Sequence, residues 1–532
     1  MDNKKSYRFA SIEEIHAAYL AGETTVRAVT EDFLEAIEKY NPYLHAVIEV
    51  NPDALAIADQ LDEALGRLRR HARPAGGPDP AEGGAGLLAD AADRSMPAGG
   101  ASPAELPLLF GIPVLLKDNI ATGDQLHTSA GAAALADLLA PEDAPCAANL
   151  RQAGAVILGK ANLSEFANYY TEGNPNGWSA RGGQCVSPYE PVPEDLSTFE
   201  LGNYKQEDHF DPSGSSSGSG VATAAGLCTV AVGTETSGSI LSPSCANGLV
   251  GLKPTAGLVS NEKVIPISPT LDTPGPMARS ADDCAILLAS LAGLDQAELE
   301  EQYRKAADAF SGNLSSLRLG VIAPKDPDKR GSWDPTEEEY RVFDAFLKTL
   351  EASGVQLMRD ARRGPNKGIM ELMQYEIKGS INAFLDWANA DGERTAMHSL
   401  TDILDYVHAH PESSPYGHSL LEARDKDTSG RMDEPEYREA LEMRRAAQKE
   451  MDEYLEENQL DAIIGMDFPG FAPFGGFPAV TLPLGVAKEG KYPGYPMAAF
   501  LYARPGQDLR LLAIENALAA LWPAMPRPAL LT

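Results

Sequence analysis

Three aliphatic runs do most to limit what this chain can fold into: Leu106–Lys117 (LPLLFGIPVLLK), Ala155–Lys160 (AVILGK) and Thr229–Thr236 (TVAVGTET). They are apolar throughout rather than alternating, which fits strands covered on both faces. Helical stretches separate them: CAANLRQAG before the second run and the small-residue segment GVATAAGLC before the third. Strands alternating with helices predict an α/β chain with one sheet covered on both faces. Further strands are expected at Leu460–Met466 and Ala479–Val486, with a closing helix over Leu509–Leu521. The N-terminal part reads as helical, with a capping box formed by Ser11 and Glu14, then helices over Thr25–Tyr40 and Pro52–Arg70.

Between Ala72 and Glu105 the pattern breaks: 10 Ala, 7 Gly and 5 Pro occur in 34 residues. Such a stretch offers too little apolar surface to offset its ordering entropy and is expected to be a flexible surface insertion. Residues 298–458 are charged and helical in pattern. The expected organisation is therefore N-terminal helices packing on the core (1–71), the insertion (72–105), a catalytic core (106–297), a variable helical region (298–458), and C-terminal strands and a helix completing the core (459–532).

Charge narrows the function. Lys and Arg total 44 against 77 Asp and Glu, a formal charge of −33, and no basic patch interrupts it. Nucleic-acid binding is not expected from such a surface. The five cysteines are scattered without a C-x-x-C pair, so neither a disulfide framework nor a zinc site is expected. The first residues lack the apolar core of a signal peptide, and no run reaches the ~18–20 apolar residues of a membrane span. The expected location is cytoplasmic, with no membrane partner.

Two small-residue segments carry the chemistry. Asp211–Gly220 (DPSGSSSGSG) allows a sharp turn with three consecutive hydroxyls, and taken alone it could be a linker. Gly214–Gly218 also fits the G-x-S-x-G elbow with Ser216 central, although Asp211–Pro212 makes a poor strand end for one. Gly233–Ser239 (GTETSGS) follows a good strand, and its successive N–H groups could form an anion-binding nest or simply a turn.

Taken together, with Ser215 and Ser239 separated by 24 residues and Val114–Asn119 (VLLKDN) upstream, the pattern resembles the amidase signature family. Gly159–Ser164, Gly214–Ser216, Gly233–Thr236 with Gly238–Ile240, Gly248–Thr255 and Thr273–Arg279 also match. The likeness spans roughly residues 10 to 530, dense over 106–293 and thin over 300–460. Gly177–Gln184 lies closest to the peptide-amidase branch. The resemblance implies a single large mixed β-sheet covered by helices on both faces, and a Ser–Ser–Lys relay. It makes Ser239 the nucleophile, Ser215 the bridging serine, with a cis Gly214–Ser215 peptide, and Lys117 the base. It further implies an oxyanion hole of the Thr236, Ser237, Gly238 and Ser239 N–H groups, support from Ser216, and Gln184 and Leu241 at the substrate pocket. No cofactor and no metal is implied.

The expected substrate is a small-molecule or peptide amide, cleaved by a monomer or homodimer. Where many members carry an arginine two residues past the nucleophile, this chain has Leu241, which predicts neutral substrates. An amidotransferase component working with partner chains on aminoacyl-tRNA, an ester or carbamate hydrolase, and an inactive scaffold are the alternatives.

Other features point elsewhere. Asp425–Glu436 fits the EF-hand calcium spacing, but it is solitary, carries Pro435, and reads as a helix–helix loop. Ser260–Lys263 matches S-x-x-K in an extended context and is read as chance. His127 and His209 lie nearest the motifs with no acid partner assigned. Pro188–Phe210, with six acids and one lysine, is placed as a flap or a solvated loop.

Overall fold

The protein is described here by a computed structural model covering residues 5–71, 106–191, 206–330, 334–528 and 530. The expected insertion 72–105 and most of the expected 188–210 flap lie outside the described residues.

The strands are β1 (Val47–Val50), β2 (Pro113–Lys117), β3 (Val156–Ala161), the short hairpin β4 (Trp178–Ser179) and β5 (Gly183–Gln184), β6 (Val230–Glu235), β7 (Val250–Lys253), β8 (Thr273–Ala278), β9 (Arg318–Val321), β10 (Gln356–Met358), β11 (Ala462–Gly465), β12 (Ala479–Val486) and β13 (Pro496–Tyr502). All but the hairpin join one 11-stranded sheet in the order β1-β3-β2-β6-β8-β7-β12-β13-β11-β9-β10. β2 runs parallel to both β3 and β6, and β9 runs parallel to β10 and β11. The pairs across the middle of the sheet are antiparallel, so the sheet is mixed. Every residue of β2, β3 and β6 is buried, as their unbroken apolar character predicts.

One apolar cluster gathers the N-terminal helices with helices Ala281–Ala292 and Asp508–Ala519. A second gathers helices Ile369–Ala388, Leu400–Ala409 and Pro435–Glu457. Helices thus cover both faces. The Ser11–Glu14 capping box is present at helix Ile12–Ala21, and Thr25 caps helix Val26–Leu44 by accepting from the Ala28 N–H.

Six strands of the sheet, β1, β7, β8, β9, β10 and β13, are absent from the sequence reading. β9 and β10 extend the sheet from within the stretch expected to be helical. β8, with Pro274 and Pro276, lies inside the sheet despite its prolines. β7 pairs only with its last residues, Met277 and Ala278, so the proline-bearing part is an edge on that side, where a missing N–H is tolerated.

Candidate active site

Lys117 ends β2 between two parallel neighbours, so a buried apolar strand of the sheet delivers an amino group into the interior. Its side chain is 0% exposed. Nζ donates to Ser215 Oγ at 2.8 Å, to Thr234 Oγ1 at 3.0 Å and to the Thr234 carbonyl at 3.2 Å. Burial lowers its pKa from the ordinary lysine value to about 7, against the opposing pull of the Asp272 and Glu235 carboxylates. Asn119 Nδ2 donates to the same Thr234 hydroxyl at 3.1 Å and fixes it.

The serine-rich turn leads into helix Ser217–Ala224, every residue of which is buried. Small residues are required there. A Cβ on Gly218 would lie 2.4 Å from the Ala46 carbonyl oxygen and 2.5 Å from the backbone of Asn162. The Gly214–Ser215 peptide is cis. Ser164 N–H donates to the Ser215 carbonyl at 3.0 Å, and Ser216 N–H donates to the Ser239 carbonyl at 3.1 Å. That last bond ties the two small-residue segments together. Ser216 Oγ bridges both backbone groups of Thr234, each at 3.2 Å. Ser215 and Ser239 are both buried, the latter 7% exposed.

The Thr236–Ser239 turn is held from two sides. Glu235, fully buried at the end of β6, accepts from the Ile240 and Leu241 N–H groups at 2.8 and 2.9 Å. Burial raises the Glu235 pKa, and the nearby Leu241, Ile240 and Gly238 N–H groups oppose the rise. Gly238 adopts φ +98°, a conformation that favours glycine. On the other side, the Thr236 hydroxyl donates to Asp272, which also accepts from the Ile267 and Ser268 N–H groups, both at 2.9 Å. Burial pushes Asp272 up to about 7. The Asp272 loop is anchored in turn by Glu376, from helix Ile369–Ala388, which accepts from the Ser268 hydroxyl at 2.6 Å and from both the N–H and hydroxyl of Thr270. Tyr437 donates a further bond to it at 2.9 Å.

Glu235, Asp272 and Glu376 were not singled out from the sequence. Glu235 lies inside the GTET motif and could have been found there; Glu376, one acid on an acid-rich helical stretch, offered no signal.

Gln184 donates its side-chain amide to the Asn176 and Cys185 carbonyls, while its buried Oε1 has no partner. Leu241 is fully buried in the second apolar cluster. Arg181 pairs with Glu49 at 2.6 Å and with Asp118 at 3.3 Å. His127 is held by Glu49 and His209 by Glu190. In the EF-hand-like segment, Asp425 lies within helix Ser419–Asp427, 3.1 Å from the Lys378 ammonium. The next helix starts at Pro435, so the intervening residues are a helix–helix loop.

Among the described residues no helix is long and apolar enough to cross a membrane. One group of three metal-ligating side chains lies close together: His408, His418 and Glu422.

A family profile described as Amidase matches residues 85–474. A probable amidase of Arabidopsis thaliana is 33% identical over 96% of this chain and 90% of its own length. The native peptide amidase of Stenotrophomonas maltophilia superposes with a TM-score of 0.77 at 32% identity, covering 99% of both chains. The A-type subunit of the glutamyl-tRNA(Gln) amidotransferase of Halorhodospira halophila is 33% identical over 72% of this chain and 66% of its own. With the mixed sheet and the matching motifs already in place, these likenesses settle the family: the chain belongs to the amidase signature family, hydrolases of the C–N bonds of amides.

Proposed function

We propose that this protein cleaves a neutral amide through an acyl-enzyme on Ser239, with Lys117 as base and Ser215 as relay. The observation that carries the reading is a fully buried lysine, its pKa lowered to about 7, with Nζ 2.8 Å from Ser215 Oγ. A serine hydroxyl needs a base, and a lysine serves only when neutral. Neutral Lys117 takes the Ser215 proton as Ser215 takes that of Ser239, and Ser239 Oγ attacks the carbonyl carbon. The N–H groups of Thr236, Ser237, Gly238 and Ser239 stabilise the oxyanion. The relay returns the proton to the departing nitrogen, the C–N bond breaks, and water releases the acyl group by the reverse path. Ser216 holds Thr234 and the Ser239 backbone in register.

Three observations support a neutral, fairly apolar substrate, such as an aryl or acyl amide or a peptide C-terminal amide. Leu241 stands where a carboxylate-gripping arginine would be. Arg181 is already paired with Glu49 and Asp118. The Phe468 ring is 37% exposed yet lies against the turn, within 3.2 Å of where a Cβ on Gly238 would be. The test is kcat/KM for an amide against its analogue bearing a carboxylate near the scissile bond. The neutral amide is expected to win, and preference for the acid would overturn the substrate reading.

The likeness to the amidotransferase supports a second reading, ammonia transfer from glutamine within a larger assembly. Release of ammonia from glutamine faster than hydrolysis of simple amides would favour it.

A further inference from the structure

The expected catalytic machinery uses none of the histidines, and two of them meet in the helical region. His408 lies in the last turn of helix Leu400–Ala409, and His418 caps the start of helix Ser419–Asp427. Their rings are 4.9 Å apart and inclined by 70°. Glu422 is four residues beyond His418, and its N–H donates to the His418 carbonyl at 3.1 Å, the first turn of that helix. This spacing puts an imidazole and a carboxylate on one helix face. One ligand atom from each of the three residues lies within 4.8 Å of the others.

We infer that His408, His418 and Glu422 form a binding site for a divalent transition-metal ion of the zinc, nickel or copper type. Two imidazoles and one carboxylate suit these ions and not calcium or magnesium, which prefer all-oxygen sets. Ligand atoms around a tetrahedral zinc stand about 3.3 Å apart, so the three side chains would draw together on binding. The remaining coordination positions would hold water.

One further observation favours metal over an incidental cluster. His418 Nδ1 is buried and has no hydrogen-bond partner, an imidazole nitrogen left without a proton acceptor or donor. The competing contact is weak: Glu422 accepts from Lys426 in a solvent-exposed pair four residues apart.

The ion would close residues 408–418 into a loop. That loop carries Tyr416, whose ring meets Trp178 edge-on at 5.1 Å, and it runs into Ser419, whose hydroxyl lies 3.1 Å from that of Thr171. The stretch it touches ends at Gly177, whose N–H donates to Ser164 Oγ at 2.8 Å, and the Ser164 N–H holds the Ser215 carbonyl. Metal binding would therefore brace the layer behind the serine-rich turn while touching no expected reacting atom.

The test uses the full chain, untagged, stripped with chelator and desalted. Titration with ZnCl2 in a calorimeter is expected to show one ion bound per chain with micromolar affinity, and a rise in Tm of about 2 °C in excess zinc. His408→Ala, His418→Ala and Glu422→Gln should each weaken binding about tenfold or more and leave the metal-free Tm unchanged. Calcium should produce no shift. Absence of zinc binding would overturn the site, as would full-strength binding in the His408→Ala, His418→Ala double variant, which would place the ion elsewhere.

Discussion

Among the described residues, the region holding the candidate site and the helical region treat charge in opposite ways. Between 106 and 297, Lys117, Asp118, Lys160, Glu165, Glu235, Lys253, Asp272 and Asp283 are all buried. Between 298 and 458, Glu376 alone among charged side chains is. The helical region instead pairs its charges in solvent at one-turn spacing, as in Lys348–Asp344 and Lys449–Glu453. A buried ion persists only where partners hold it, so the first region has a fixed polar architecture and the second a tolerant surface. Glu376 is the exception that joins them: it comes from the tolerant region and anchors the loop that holds Asp272.

The most damaging way to probe the contrast is to remove the expected machinery. Ser239→Ala is expected to abolish turnover. Lys117→Ala and Ser215→Ala should each lower kcat by several orders of magnitude, because members of one relay fail together. Steady-state rates with folded variants decide it, and near-normal turnover in Ser239→Ala would break the assignment.

Next in size is pH. As the proposed base, Lys117 would act only when unprotonated, and burial brings its pKa to about 7. Below that value kcat/KM should fall about tenfold per pH unit, and above it the profile should level off. The sign follows from the base: acid adds the proton that silences it. A maximum near pH 4–5 would assign the base role to a carboxylate.

Glu376→Ala tests the link between the regions. Four donor groups would lose their acceptor in the interior, a cost of about 3 kcal/mol, and the loosened Asp272 loop should lower kcat as well. A drop in Tm with unchanged kcat would separate stability from site geometry and weaken the link. Smallest of all, Arg359→Ala, which removes an exposed pair with Glu351, should shift Tm by less than about 1 °C. A larger shift would show that the helical surface is less tolerant than its charge pattern says.

The same contrast explains what could be read from the sequence. Serines among glycines are conspicuous, but alone they pointed as much to Ser216 at an elbow; Lys117, Ser215 and Ser239 were assigned through the resemblance that the spaced motifs carry together. The strands at 113–117, 156–161 and 479–486 announced themselves by unbroken aliphatic character. Glu376 did not, because its context of Met, Tyr, Ile and Lys at helical spacing is that of any amphipathic helix. β9 and β10 are short, four and three residues, and their pairing depends on β11, more than 100 residues downstream. β8 was hidden by its prolines, whose tolerance follows from where β7 stops, a fact of sheet assembly and not of local propensity.

The strand order has a consequence for synthesis. β12 and β13, at Ala479–Tyr502, lie in the middle of the sheet and supply the join between β7 and β11. A nascent chain that has emerged only through β11 therefore holds two half-sheets, each with a bare central edge, and at ~5–20 residues per second it stays so for some seconds. Exposed edges of that kind invite pairing with other chains. The strands that carry the candidate site emerge early, but their sheet is complete only when the last pair arrives, so chaperone capture during translation should be heaviest just before residue 479. Ribosome-bound chains halted there should be protease-sensitive, while chains halted well past residue 502 should resist cleavage.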